Sequence, residues 1–233
     1  MSPSTCWQGI EEGRRKPVAL SPKVVPLSPA RSTNAALGAG APHNPFASAR
    51  VQPGALPFLL PTGQPATHLF REFCELGSRA QVLGPHGSGK STLLHHLAAE
   101  ARRSGWRVAW AQQGKASEAL PSGRQQRLVV VDGAEQWSAR TWRRLESRCA
   151  RTDSRLLAAT HADLGWPTLW HATVTVETAQ QVVAHLLRDE ATPLPSETHL
   201  RTLVEQHNGN LRLALFALYD WFEQRRQSKT PDT

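Results

Sequence analysis

Apolar residues follow two alternating rhythms along most of this chain. Residues 80–83, 107–110, 128–132, 156–160 and 172–176 are short, mostly apolar runs of strand length. Between and around them the apolar positions recur at helical spacing. Leu93, Leu94, Leu97, Ala98 and Ala101 form one such stripe, closed by Arg102, Arg103 and a terminating Gly105. Leu69, Phe70, Phe73 and Leu76 form another before Gly77, a natural helix stop. Trp142, Leu145 and Cys149 form a third. After residue 176 only helices are expected. A capping box over residues 178–181 opens a stretch with Val182, Val183, Leu186 and Leu187. Ser196 caps a helix bearing Leu200, Leu203 and Val204, and Asn210 starts one bearing Leu211, Leu215, Leu218 and Phe222. Strands separated by helices predict an α/β fold: five parallel strands flanked by helices in three layers, with a small helical lid at the C-terminus.

Candidate chemistry begins directly after the first strand. Gly84, Pro85, His86, Gly87, Ser88, Gly89, Lys90 and Ser91 match G-x-x-x-x-G-K-[ST], followed by Thr92. Three glycines let the backbone wrap a polyphosphate and turn successive N–H groups inward. In that loop Lys90 reaches the β- and γ-phosphates, Ser91 places its hydroxyl on Mg²⁺, and Thr92 follows at a positive helix N-terminus. About forty residues later, four apolar residues run into Asp132. A buried parallel strand would deliver that carboxylate at its C-terminal edge, where a Mg²⁺-holding aspartate belongs. His95 and His96 are adjacent in the helix, whereas ligand pairs on one face need three- or four-residue spacing, so a metal role is not expected.

On these motifs the chain, from Asn44 to about Gln227, resembles P-loop ATPases of the AAA+ and STAND (NACHT-like) groups. Most AAA+ enzymes place a catalytic Glu directly after the Mg²⁺ aspartate. Here Gly133 occupies that place and Glu135 follows, similar to the NACHT pattern, which makes Glu135 the residue to orient or deprotonate the attacking water. By the same resemblance Thr160 matches sensor 1, with His161 beside it; the alternative is a threonine that simply closes a strand. Gly209, Asn210, Leu211 and Arg212 are similar to the G-N-x-R start of the AAA+ lid helix, which makes Arg212 a sensor of the γ-phosphate. A solvated arginine is the alternative. Phe46, in a segment like the AAA+ N-linker, is either a base contact or a plug at the core edge. The resemblance implies ATP and Mg²⁺ as ligands, with Lys90, Glu135, Thr160 and Arg212 catalytic. No arginine lies between 161 and 171, which disfavours a hexameric motor unless Arg148 or Arg151 takes the neighbour-directed task.

Composition sets the outer limits. The 233 residues suit one α/β core, over 44–177, plus a lid over 178–228. Residues 1–43 are rich in Ser, Pro, Ala and Arg and are expected to be a disordered tail. No apolar h-region follows Met1, and no apolar run is long enough to span a bilayer. Cys6, Cys74 and Cys149 lack pairing or metal spacing, as in a reducing cytoplasm. The net charge is +8, with Arg143, Arg144, Arg148 and Arg151 clustered after the aspartate strand. Nucleic-acid binding is one reading of that cluster; a solvated helix face is the favoured one. The function these signs suggest is a Mg²⁺-dependent ATP hydrolase used as a switch towards an unidentified protein partner or effector. The alternatives are a DNA-associated helper ATPase, a small-substrate kinase, or a nucleotide-binding scaffold without hydrolysis.

Overall fold

Five strands pair in parallel, each short and largely apolar because both faces of the sheet are covered. In a computed structural model, which describes residues 44–59, 66–111, 125–190 and 192–228, the chain forms β1 (Arg79–Leu83), β2 (Arg107–Ala111), β3 (Arg127–Val131), β4 (Ser154–Thr160) and β5 (Thr168–His171). Their order is β2-β3-β4-β1-β5. Helices α1 (Ser48–Val51), α2 (Ala66–Glu75), α3 (Lys90–Arg103), α4 (Ala139–Arg151), α5 (Val176–Leu187), α6 (Glu197–Gln206) and α7 (Leu211–Gln227) complete the described residues, with a 3₁₀ turn over Ala134–Gln136. This is the expected three-layer α/β/α arrangement. The predicted tail over 1–43 lies outside the described residues.

The period-two alternation of strands divides the core. Ala80, Val82, Leu128, Val130, Leu157 and Ala159 face one side, packed with α2 and α3. Val129, Val131, Leu156 and Ala158 face the other, under Leu145 and Cys149 of α4. Burial raises the Cys149 thiol pKa to about 11. Trp137, Trp142 and Trp166 close this second layer, with ring centroids 5.3 Å and 5.2 Å apart.

Three expectations need correction. The last strand is Thr168–His171, not 172–176: the Ala172 N–H still donates to the Leu83 carbonyl at 2.7 Å, and pairing with β1 ends there. The following helix is capped by Thr175, whose hydroxyl accepts from the Thr178 N–H, so the predicted cap over 178–181 lies inside α5. Leu76 is 38% exposed because α2 ends at Glu75, before the turn that Gly77 makes at φ +103°.

The C-terminal helices have their own core, and it includes the start of the described chain. Phe46, fully buried, packs edge-on to Phe222 at 6.2 Å, beside Val51, Leu186, Leu200 and Leu218. Asn44 donates to the Tyr219 carbonyl at 3.0 Å and to Glu223 at 2.8 Å. Of its two readings, Phe46 therefore takes the core one. Phe46→Ala should lower stability by about 3–5 kcal/mol in urea denaturation, the usual cost of emptying an aromatic core site. A loss no larger than that of a surface substitution would show that residues 44–51 do not belong to this core.

Candidate functional site

The glycines of the loop after β1 are there for specific reasons. Gly87 and Gly89 have φ of +68° and +89°, a backbone region that other residues enter at a cost. A Cβ on Gly84 would stand 2.4 Å from the Ala172 carbonyl oxygen. Gly89 also precedes α3 and offers no side-chain cap. By contrast Ser138, Thr175, Ser196 and Asn210 each cap α4, α5, α6 and α7 with a side-chain oxygen. The first N–H groups of α3 are thus left for an outside acceptor, as a phosphate-binding helix start requires.

Lys90, only 8% exposed, folds back over this loop and donates to the Gly84 and Pro85 carbonyls at 2.7 Å and 2.6 Å. Burial lowers its pKa, while the carboxylates of Glu135 and Asp132 act in the opposite direction. An ammonium held by two carbonyls and faced by two carboxylates is poised to move onto a more negative ligand.

Adjacent strands bring the other groups to it. In β3, Leu128 and Val130 face α3, so the next even position, Asp132, emerges on that side. In β4, Leu157 and Ala159 face α3, and His161 continues the alternation. Register places Leu83 beside Thr160, hence Gly84 beside His161. Asp132, Glu135, His161 and Lys90 accordingly line one cleft of about 410 Å³ together with the loop, Ser91 and Thr92. Its far wall is apolar, from Val51, Pro53 and Leu56 on one side and Leu211 and Leu215 on the other, and Arg212 stands at the α7 end. That size and mixed lining suit a nucleotide.

Of the predicted site residues, the structure brings together the loop residues from His86 to Thr92 with Asp132, Glu135 and Arg212. Gly84 and Pro85 contribute the carbonyls that hold Lys90. Thr160 is not brought to the cleft. It is fully buried, and its hydroxyl donates to the Ala162 carbonyl at 2.7 Å and accepts from the Ala162 N–H at 3.2 Å. Alternation turns it away from α3, and its hydrogen bonds are spent closing the strand. The residue facing the cleft is His161, whose Nδ1 lies 2.9 Å from the Gly84 carbonyl and whose Nε2 lies 3.3 Å from Glu135 Oε1. Gly133, in a left-handed conformation at φ +67°, turns the chain so that Glu135 comes back towards the cleft. The apolar wall from Val51 to Leu56 was not singled out from the sequence, since its residues show no period and no polar chemistry. His96 is used structurally, accepting from the Phe58 N–H at 3.1 Å, and His95 packs on Trp110 at 4.5 Å.

A family model for novel STAND NTPase 5 matches residues 75–168, the stretch from the end of α2 through the start of β5. Over that stretch, about two fifths of the chain, the protein is similar to a STAND-type P-loop NTPase. It is also similar to solved structures. AMPPCP-bound DnaA from Aquifex aeolicus has a TM-score of 0.49 and 16% identity over 69% of this chain and 61% of that one. A DNA replication initiation factor gives 0.45 and 14% over 70% and 62%. A Walker-type ATPase of Pyrococcus abyssi gives 0.49 and 11% over 73% and 69%. The chain thus spans about three fifths of the length of the first two. A search of curated proteins returned no match. Among the described residues, no helix is long and apolar enough to cross a membrane.

The helical cluster touches this P-loop at one tight point. A Cβ on Gly87 would stand 1.8 Å from Oδ1 of Asn210, the residue that caps α7. Gly87→Ala should therefore destabilise the fold by more than the roughly 1–2 kcal/mol of its left-handed backbone alone. On an Asn210→Ala background the same change should cost less, a coupling of about 0.5–3 kcal/mol in a double-mutant cycle read by urea unfolding. Strictly additive costs would contradict the close approach.

Proposed function

We propose that the protein binds ATP with Mg²⁺ in this cleft and hydrolyses it slowly, using the change in bound nucleotide as a switch. The observation that carries the reading is the buried Lys90 ammonium, held on two loop carbonyls, in a cleft lined also by Asp132 just past β3 and Glu135 of the following 3₁₀ turn. Such a lysine is suited to leave its carbonyls for the β- and γ-phosphates, with the uncapped start of α3 donating to the same oxygens.

The metal requirement fits the donors present. Ser91 and Asp132 offer a hydroxyl and a carboxylate on the same cleft, hard oxygen ligands of the kind Mg²⁺ takes in small number beside substrate phosphates. Among the described residues no group of three His, Cys, Asp or Glu side chains could hold a metal alone, in keeping with a cation that is shared with a nucleotide. When bound, Mg²⁺ would offset the charge that develops on the phosphates. Glu135 would orient the water and accept its proton. Arg212, exposed at the first turn of α7, would reach the γ-phosphate and couple its loss to the helical cluster, which serves as a lid over 176–228 with residues 44–51 packed against it. The apolar wall from Val51 to Leu56 is the place for the base, and adenine is favoured by the family likeness. The protein or effector that reads the switch is not named by the cleft.

Phosphate release under single-turnover conditions tests the hydrolytic part. Glu135→Gln should slow it about 10²–10⁴-fold, the usual contribution of a positioned general base, with ATP affinity retained. Chelating Mg²⁺ should abolish release. Wild-type and Glu135→Gln proteins that bind ATP and both release no phosphate would leave a nucleotide-binding scaffold in place of a hydrolase.

A further inference from the structure

The His161 ring sits between the P-loop and the proposed base, and its contacts exceed what a loop residue needs. Nδ1 lies 2.9 Å from the Gly84 carbonyl and 3.3 Å from Lys90 Nζ. Nε2 lies 3.3 Å from Glu135 Oε1. The ring of His86, from the P-loop itself, lies beside it at a tilt of 42°, with centroids 3.6 Å apart. A neutral imidazole has one donor and one acceptor, so with Nδ1 accepting from the Lys90 ammonium, which also donates to the Gly84 carbonyl, Nε2 carries the N–H. The second nitrogen is then directed at the carboxylate.

The loop carrying His161 is fixed from below. Gln81, fully buried in the middle of β1, shares the two N–H groups of Nε2 among Asp163 Oδ1 at 2.6 Å, the Trp166 carbonyl at 3.0 Å and Thr168 Oγ1 at 3.0 Å. Its Oε1 accepts from the Leu164 N–H at 2.9 Å. Asp163 Oδ1 also accepts from the Gly165 N–H at 2.7 Å. These bonds, first the Gln81 amide and then the Gly165 N–H, lower the Asp163 pKa and keep it an acceptor. A buried amide with both ends engaged holds residues 163–168 rigidly against the sheet. His161 lies two residues from that anchor and cannot swing freely.

The geometry points to His161 as the positioning residue for Glu135: an Nε2–H holds the carboxylate in place, Nδ1 accepts from the Lys90 ammonium, and the Gln81–Asp163 lock holds the loop. This inference rests on the hydrolytic reading above. It assigns to His161 a role in orienting the base that the neighbouring Thr160, buried and engaged with Ala162, has no free hydrogen bond to perform.

Asparagine and glutamine separate the two ring nitrogens. An asparagine amide reaches about as far as Nδ1, and a glutamine amide about as far as Nε2. Wild type, His161→Gln, His161→Asn and Asp163→Ala are compared in kcat, KM and ATP affinity. His161→Asn, which keeps only an acceptor towards Lys90, should lose about 10–100-fold in kcat, as removal of an orienting partner usually does, with KM unchanged. His161→Gln, which keeps a donor towards Glu135, should stay within a few-fold of wild type. Asp163→Ala, at an exposed site that will tolerate the change, should lower kcat less than His161→Asn and in the same direction. The opposite order, with asparagine active and glutamine impaired, would show that His161 only serves as an acceptor for Lys90 and would overturn the inference. Wild-type kcat in both His161 variants, or in Asp163→Ala, would also overturn it. A wild type that binds ATP without any turnover would end the hydrolytic reading itself, a failure distinct from a reversed order among active variants.

Discussion

A single buried cation sets the terms for the rest of this structure. Lys90 is held out of water at the start of α3, and burial alone would favour its neutral form. Two backbone carbonyls take its hydrogen bonds, and the carboxylates of Asp132 and Glu135 keep the charge tolerable. Without the carboxylates the ammonium would keep only its carbonyl and imidazole partners, and burial would lower its pKa further. The site is thus an electrostatic balance in which a polyanion can replace the loop carbonyls as the partner of the lysine.

The sheet makes that balance possible. Parallel strands present their C-terminal ends on one edge, and the order β2-β3-β4-β1-β5 makes β3, β4 and β1 consecutive neighbours. The strand leading to Asp132, the strand leading to His161 and the strand feeding the P-loop therefore end side by side. The alternation of side chains then decides which residue at each end looks towards α3. The helical cluster adds a second constraint, because the Asn210 cap of α7 rests where any side chain on Gly87 would need to be. A loop conformation and a helix start are coupled through one missing Cβ.

Much of this was legible in the residues. The P-loop, the aspartate strand, the buried stripe of α3 and the caps Ser196 and Asn210 are local signals, each written within a few residues, and the structure places them where those signals point. Two of the differences, the last strand and the apolar wall, depend on partners far away in sequence, and the third turns on local alternation. The run 172–176 is apolar enough for a strand, yet β5 forms at 168–171 because the pairing with β1 ends at Ala172. Thr160 was chosen over His161 by likeness, although the alternation of Leu157 and Ala159 already implied that position 161, not 160, looks towards α3. The apolar wall at 51–56 could not be seen at all, since it exists only when the first described segment packs beside α7. Gly133 read as a departure from a motif, and its left-handed turn gives that departure a conformational reason.

The central claim is that Lys90 and its cradle constitute a nucleotide-triphosphate site. Isothermal titration calorimetry of wild type and Lys90→Ala with ATP and Mg²⁺ tests it most directly. One saturable site is expected in the wild type, with a loss of at least about tenfold in affinity, some 1.4 kcal/mol, in the variant. Equal binding by the two proteins, or no binding by the wild type, would contradict it.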